Sequence, residues 1–359
     1  MKRVLVFTTQ MMKTGGIESH IREFCVQMTN QIEVDLVVLN SAMLPENEAF
    51  FTKVCRKVFL EKNGRSILRL LSVVRIALIC RAGKYDAIYT NGQGNSIKLF
   101  MAILGGYKTW VHHHHTSGDA EDQATWTDAY KGILQQATTI IACSKKNALD
   151  MEKALKRRID SIPCFSRKIG IKPQAHKNDQ IVRFGYYGRL IPEKGIDLLC
   201  ALSEEPEFNN IEFHVWGEGE AYPPTYFDKF TKLIFHGTFN GQEELAKVIG
   251  SIDAFLLLST HPEGLPICLL EAMGVGLPWM ATDRGGITDI ACDPLSTRVI
   301  HSLDDLKQLK HAIKTFADDL LEGKVSREPQ LQQYAAQFSS AALIKRWNDA
   351  FGILNHKLN

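Results

Sequence analysis

Residues 259–290 read S-T-H-P-E-G-L-P-I-C-L-L-E-A-M-G-V-G-L-P-W-M-A-T-D-R-G-G-I-T-D-I. They follow Ala254-Phe255-Leu256-Leu257-Leu258, an unbroken apolar run of the kind a parallel strand buried on both faces presents. The turn residues 260–264 break that run, and Leu265 to Met273 then carry helical apolar spacing that fades at Gly274 and Gly276. Pro278 and Trp279-Met280-Ala281 start another strand, and Gly285-Gly286 open a further turn. Strand, turn and helix in this order form the half-unit of an open α/β sheet, and the helix start beyond the strand's carboxyl end is where such sheets take anionic ligands. Backbone N–H groups near 264–267 are placed to meet a phosphate. Glu263 and Glu271 bracket the helix start, roughly 12 Å apart along its axis at 1.5 Å per residue. That separation suits two sets of hydroxyls on one elongated ligand better than an acid/base pair, which sits within about 10 Å. Taken alone, the pair fits equally well an exposed turn glutamate and a helix-surface glutamate.

The stretch resembles the E-G-(F/L)-P-x-x-x-L-E signature of the retaining family 4 glycosyltransferases of GT-B fold. The match runs through Glu263-Gly264-Leu265-Pro266, Leu270-Glu271-Ala272-Met273, Pro278 and Gly285-Gly286. Asp289 stands where the family often has Glu, and Trp279 where it often has Val. A second signature, G-R-L-x-P-E-K-G, occupies 188–195, about 70 residues earlier, where two cations follow a strand end. On residue type alone these are two surface cations, although cations at a strand's C-terminal end also suit a diphosphate. The resemblance implies that Arg189 and Lys194 grip the leaving diphosphate, that Glu263 sits by the donor sugar, and that Glu271 holds the ribose. It also implies donor contacts from Gly15 and Gly16 of a G-G-I-E loop, from Gly237, and from Gly264, Leu265 and Ile267. The fold it implies is α/β, with two Rossmann-like domains, each on a parallel sheet, facing across a cleft. The expected boundaries are 1–170 for an acceptor domain, 171–180 for a linker, 181–338 for the nucleotide-sugar domain, and 339–359 for a helix crossing back to the first.

Length and composition agree with that reading. The 359 residues suit two domains, and 45% hydrophobic with 23% charged residues is ordinary for a globular protein. Eight cysteines at 25, 55, 80, 143, 164, 200, 268 and 292 form no C-x-x-C, so neither a zinc ribbon nor a thioredoxin-like site is indicated. Scattered thiols fit a reduced cytoplasmic compartment. No apolar run approaches the ~18 residues of a membrane-spanning helix, and Met1 to Phe7 reads as a buried strand rather than a signal-peptide core. G-x-G at 217–219 is followed by Tyr222 where a third glycine is needed, so no dinucleotide fingerprint is present.

Net charge of +2 hides an asymmetry: residues 1–178 carry +11 and the remainder −9. The basic half points to an anionic partner, either a membrane surface or a charged acceptor. Residues 53–84 hold nine Lys and Arg against Glu61, and Arg65, Arg69, Ser72 and Arg75 fall on one stripe of a helix spanning 65–82. Arg65, Arg69 and Arg75 are therefore candidate membrane contacts, at about 1 kcal/mol per basic residue near an anionic surface. A core helix with a solvated basic face is the plain alternative.

His112-His113-His114-His115 invite a metal reading. On a strand, neighbouring side chains point to opposite faces, so at most two converge, and no Asp or Glu spacing completes a set. These residues read as strand-end polar groups facing the cleft. By resemblance, His115 (with His114 as fallback) is the catalytic-site histidine that meets the donor sugar or the acceptor. The chain contains no D-x-D, so no metal cofactor is expected: cations and helix amides replace it at the diphosphate.

The function these motifs imply is transfer of a sugar, with retention, from a nucleoside diphosphate sugar (a UDP-sugar favoured) to a hydroxyl of a glycan or lipid-linked acceptor. Bacterial surface polysaccharide assembly on the inner face of the cell membrane is the expected setting, with no nucleic acid partner. No side chain stands out as a covalent nucleophile, which favours front-face attack. Two other classes remain: a GT-B nucleotide-sugar epimerase or hydrolase, and a non-catalytic membrane-surface binding protein.

Overall fold

The structure, a computed structural model, describes residues 1–12, 15–40, 42–61, 66–94, 99, 109–171 and 180–353, with the side chains of 66–69 outside that description. It divides into two compact units, Met1–Phe165 with Ser340–Asn359, and Ser166–Ser339. Residues 172–179 of the expected linker lie outside the described residues.

The first unit is built on seven parallel strands: β1 (Lys2–Thr8), β2 (Ile32–Val38), β3 (Lys57–Leu60), β4 (Ala87–Asn91), β5 (Trp110–His114), β6 (Thr139–Ala142) and β7 (Asp160–Ser161). Their order across the sheet is β3-β2-β1-β4-β5-β6-β7. Helices α1 (Gly16–Met28), α2 (Pro45–Val54) and α3 (Ser66–Ala82) are among the elements that join the strands. The strands read as continuous apolar runs because both faces are covered: Val4, Val6 and Leu36 pack on one side, Leu5, Phe7 and Val37 on the other. The C-terminal helix Ser340–Ala350 belongs to this unit. Its Trp347 is fully buried, with ring centroids 5.1 Å from Phe24 and 5.2 Å from Tyr89. Burying one such ring contributes about 3 kcal/mol, enough to hold the chain's last helix on the domain that begins it.

The second unit carries β8 (Val182–Tyr187), β9 (Ile211–Trp216), β10 (Leu233–Phe235), β11 (Ala254–Leu257), β12 (Trp279–Thr282) and β13 (Thr297–Ile300), all parallel, in the order β10-β9-β8-β11-β12-β13. Counted within the unit this is 3-2-1-4-5-6, the doubly wound order. Strand order reverses between β8 and β11, and beyond the strands' carboxyl ends at such a reversal is where sheets of this order take their ligands. Among the described residues, no helix is long and apolar enough to cross a membrane.

Candidate functional site

The two sequence signatures meet at that reversal point. β8 ends at Tyr187, and the chain turns through exposed Arg189 into a short 3-10 segment, Pro192–Lys194. β11 ends at Leu257 and delivers Ser259 and Glu263 beside it. Lys194 Nζ lies 2.5 Å from Glu263 Oε1, and Ser259 Oγ donates to the same oxygen at 2.6 Å. His261 Nδ1 stands 3.2 Å from Ser259 Oγ. Ser259 Oγ is also 3.0 Å from the Glu193 carbonyl, which takes the Thr260 N–H at 2.8 Å, so the two turns are stitched together.

Glycine makes this close approach possible at two points. Gly195, at φ +74°, lies so near Leu258 that an added Cβ would stand 2.1 Å from the Leu258 carbonyl oxygen. Gly285, at φ +55°, would put a Cβ 1.6 Å from the Glu263 carbonyl oxygen. Any side chain there pushes one turn off the other.

Glu263 is 6% exposed. Burial works to raise its pKa, but the Lys194 ammonium, His261 and the Lys194 and Ser259 hydrogen bonds outweigh it and hold the carboxyl below its ordinary value. Arg189 differs: its carbonyl accepts from the Tyr186 hydroxyl at 2.7 Å, but it is exposed and its guanidinium has no hydrogen bond or ion pair among the described residues. The site thus offers one neutralised charge pair and one free cation at a strand end.

Glu271 sits in the second turn of the helix Ile267–Val275. It is 1% exposed and is held by Arg167 through both oxygens, at 2.6 and 3.2 Å. The carboxylate that the resemblance assigns to the ribose is thus buried and already paired. Arg167 reaches it from the segment leading into the unit, and nothing in the local spacing announces that contact. The helix begins at Ile267 and Pro266 has no N–H, so the amides nearest the strand end are those of Ile267 and Cys268. The helical rise therefore does not extend back to Glu263. Gly264, Leu265 and Ile267 are buried. Gly237, at φ +76°, follows β10, and its carbonyl accepts the Gly217 N–H at 2.8 Å.

In the first unit, Gly15 caps α1 and Gly16 is its first residue, leaving the helix's opening amides without a side-chain cap. The histidine tract departs from expectation. His112, His113 and His114 are fully buried within the unit rather than open at a strand end. His112 meets Thr90 Oγ1 at 2.8 Å and the Tyr130 hydroxyl at 3.0 Å, and burial lowers its pKa well below the ordinary value. His114 bridges the Tyr130 hydroxyl, 2.6 Å, and Asp122, 2.8 Å, which removes it as a ligand-facing fallback. His113 and His115, two apart, do share a face: their ring centroids are 4.2 Å apart, beside the thiols of Cys143 and Cys164. Those two cysteines were not singled out by spacing. Three strands bring them together.

The basic stripe on α3 is also rearranged. Ser72 is buried and donates to Glu61 at 2.9 Å, and Arg75 pairs with the same carboxylate at 3.1 Å. The outward face is formed by Leu70, Leu71, Val74 and Leu78, with Arg75 and Arg81 also exposed. Arg65 and the Arg69 side chain lie outside the described residues.

Two family models tile the chain. "Glycosyltransferase Family 4" matches residues 14–165, and "Glycosyl transferases group 1" matches 168–337. The chain belongs to the GT-B glycosyltransferases of the family 4 type. It is 24% identical over 301 residues to the poly(ribitol-phosphate) alpha-N-acetylglucosaminyltransferase of Staphylococcus aureus, a match that covers 78% of this chain and 58% of the relative. It is 23% identical over 336 residues to the UDP-Gal:alpha-D-GlcNAc-diphosphoundecaprenol alpha-1,3-galactosyltransferase of Escherichia coli, covering 83% of this chain and 84% of that one. The crystal structure of Anabaena HepE in complex with UDP-glucose superimposes with a TM-score of 0.79 at 17% identity, over 98% of this glycosyltransferase and all of HepE.

Proposed function

We propose that this glycosyltransferase moves a sugar, with retention, from a nucleoside diphosphate sugar to a hydroxyl of a glycan or lipid-linked acceptor in bacterial surface polysaccharide synthesis. The observation that carries the reading is the switch-point cluster: Lys194, Glu263 and Ser259 locked together beside an unpaired Arg189. A free cation and a shared one at a strand end suit a diphosphate that gains charge as it leaves. In this reading Arg189 and Lys194 stabilise the departing diphosphate without a divalent cation, and the Ile267 and Cys268 amides assist. Glu263, kept ionised by its neighbours, orients the sugar and supports positive charge at the anomeric carbon. The acceptor hydroxyl attacks from the same face the diphosphate leaves. The ribose reaches Glu271 by sharing it with Arg167, since a carboxylate accepts about four hydrogen bonds and Arg167 uses two. UDP is the favoured base carrier, because the E. coli relative is named for UDP-Gal and HepE was crystallised with UDP-glucose.

The test is thermal melting with saturating UDP, GDP or ADP. A nucleotide at ~100 times its dissociation constant adds about 2.7 kcal/mol. One nucleotide should raise the melt, and Arg189→Ala should abolish that rise while leaving the unliganded melt in place. If none of the three moves the melt, the donor reading fails.

Peripheral attachment to an anionic membrane belongs to the same proposal, on the α3 face of four exposed apolar side chains flanked by arginines. Vesicles with anionic lipid should pull down the wild type and lose most of the Leu71→Glu, Leu78→Glu double variant. Equal recovery of both would remove α3 as the contact.

A further inference from the structure

Beyond sugar transfer, we propose that His113, His115, Cys143 and Cys164 form a tetrahedral site for a soft divalent cation, zinc in class, at the C-terminal edge of the first sheet. His113 is the fourth residue of β5 and His115 follows the strand; Cys143 follows β6 and Cys164 follows β7. Neighbouring strands thus deliver four ligand-type side chains to one point.

The distances have the dimensions of a coordination shell. Cys143 Sγ lies 3.7 Å from Cys164 Sγ, 3.5 Å from His113 Nε2 and 3.7 Å from His115 Nδ1. Cys164 Sγ lies 3.4 Å from His115 Nδ1. Zinc bonds of about 2.3 Å to sulfur and about 2.0–2.1 Å to nitrogen, set tetrahedrally, give ligand–ligand edges of about 3.4–3.8 Å. All four of these edges fall within that range. The ligand atoms of His113, His115 and Cys164, together with His20, lie within 4.8 Å of one another.

His20 competes with Cys143 for the fourth place, and the hydrogen bonds decide between them. His20 Nδ1 accepts the Phe165 N–H at 3.0 Å, and its Nε2 meets the Tyr89 hydroxyl at 2.9 Å, so both ring nitrogens are engaged. The same Tyr89 hydroxyl meets His113 Nδ1 at 3.0 Å and fixes that ring with Nε2 toward the thiols. Outer partners of this kind are how proteins orient imidazole ligands. Among the described residues, Cys143 has the His114 carbonyl, 3.3 Å away, and the cluster itself as partners.

The charge balance favours the same assignment. His113 is fully buried, and Cys143 and Cys164 are 1% and 3% exposed. Cys143 Sγ and Cys164 Sγ lie 3.7 Å apart, and a cation bound between them would displace their thiol protons. Two thiolates and one Zn²⁺ sum to zero, which lets the group sit in an apolar core without a buried net charge. A tetrahedral S2N2 set is the ligand chemistry of zinc. The site takes His115 Nδ1, leaving only Nε2, a buried atom with no hydrogen-bond partner, for any role toward sugar.

The experiment reads the metal itself, so its outcome is independent of the transfer reading. The full chain is stripped with chelator under reducing conditions, reloaded with Zn²⁺ or Co²⁺, desalted and assayed for bound metal. One metal per chain is expected, with a thiolate-to-cobalt charge-transfer band in the near ultraviolet. Cys143→Ser and Cys164→Ser should each weaken zinc binding at least tenfold, and His20→Gln should keep it within a few-fold. Circular dichroism identifies any variant that fails to fold, and the wild-type cobalt spectrum stands without them. Absence of a thiolate–cobalt band overturns the site. Loss of zinc in His20→Gln with retention in Cys143→Ser overturns the ligand set. A chain that, before reduction, is two mass units light and short of two titratable thiols makes the pair a disulfide and overturns the proposal.

Discussion

Each unit gathers polar side chains at the carboxyl end of a parallel sheet, and the two gatherings are chemically opposite. In the second unit the groups are charged and paired: Lys194 with Glu263, Arg167 with Glu271. In the first they are imidazole rings and thiols, most of them fully buried. The switch-point cluster keeps one cation exposed and so retains unspent attraction for an anion. In the strand-end cluster two imidazoles and two thiols converge, the set proposed above to take a cation. The same architectural position can serve opposite ligands, and only the side chains decide which.

The sharpest way to break this comparison is to unpair a charge in the second unit. Arg167→Ala leaves Glu271, 1% exposed, without the guanidinium that holds both its oxygens. A buried charge stripped of its partner costs about 3–5 kcal/mol. The denaturation midpoint should fall accordingly, and the Arg167→Ala, Glu271→Gln double variant should recover part of the loss. A loss under about 1 kcal/mol would mean that water already reaches Glu271.

The corresponding cut in the first unit should cost less, because the carboxylate it touches is satisfied several times over. His114→Leu removes one donor from Asp122 Oδ2, which still accepts from Thr116 Oγ1, the Gly118 N–H and Trp126 Nε1. Burial pushes the Asp122 pKa up, but these hydrogen bonds, His114's first among them, hold it below the ordinary value. Losing one should cost about 1–3 kcal/mol by denaturant unfolding, with any nucleotide-induced rise in melting unchanged. A change in nucleotide response would make the histidine tract part of the donor site and collapse the distinction between the two clusters.

The two clusters also differ in how far the sequence discloses them. Arg189, Lys194 and Glu263 lie in two short stretches whose turn signals place them at strand ends, Glu271 lies in the helix that follows, and the two-domain parallel-sheet fold is what the family resemblance of those stretches implies. Arg167 escaped because its contact with Glu271 spans 104 residues and obeys no helical or strand period. Cys143 and Cys164 escaped because they are 21 residues apart and meet through β6 and β7, while C-x-x-C spacing detects only ligands that are neighbours in sequence. Strand alternation rightly allows only two of the four histidines on one face. It does not say that two strands away the missing ligands are waiting. On α3 the basic period was real but pointed partly inward, because Ser72 and Arg75 close on the buried Glu61 and leave the leucines outside. A period locates a face; burial decides which face it is.

The smallest effect is a slope rather than a step, and it separates the clusters by pH. Glu263 titrates below its ordinary value in the folded chain. A carboxyl whose folded pKa is depressed adds stability above its unfolded value, about 4.3, and that stability is lost as pH falls through the folded value. Wild type and Glu263→Gln should therefore differ most at neutral pH, and the gap should close progressively below about pH 4.3. A Glu263→Gln gap that stays constant from pH 7 to pH 3 would show that the Lys194 contact contributes as packing and not as charge, and the contrast between the two clusters would then rest on shape alone.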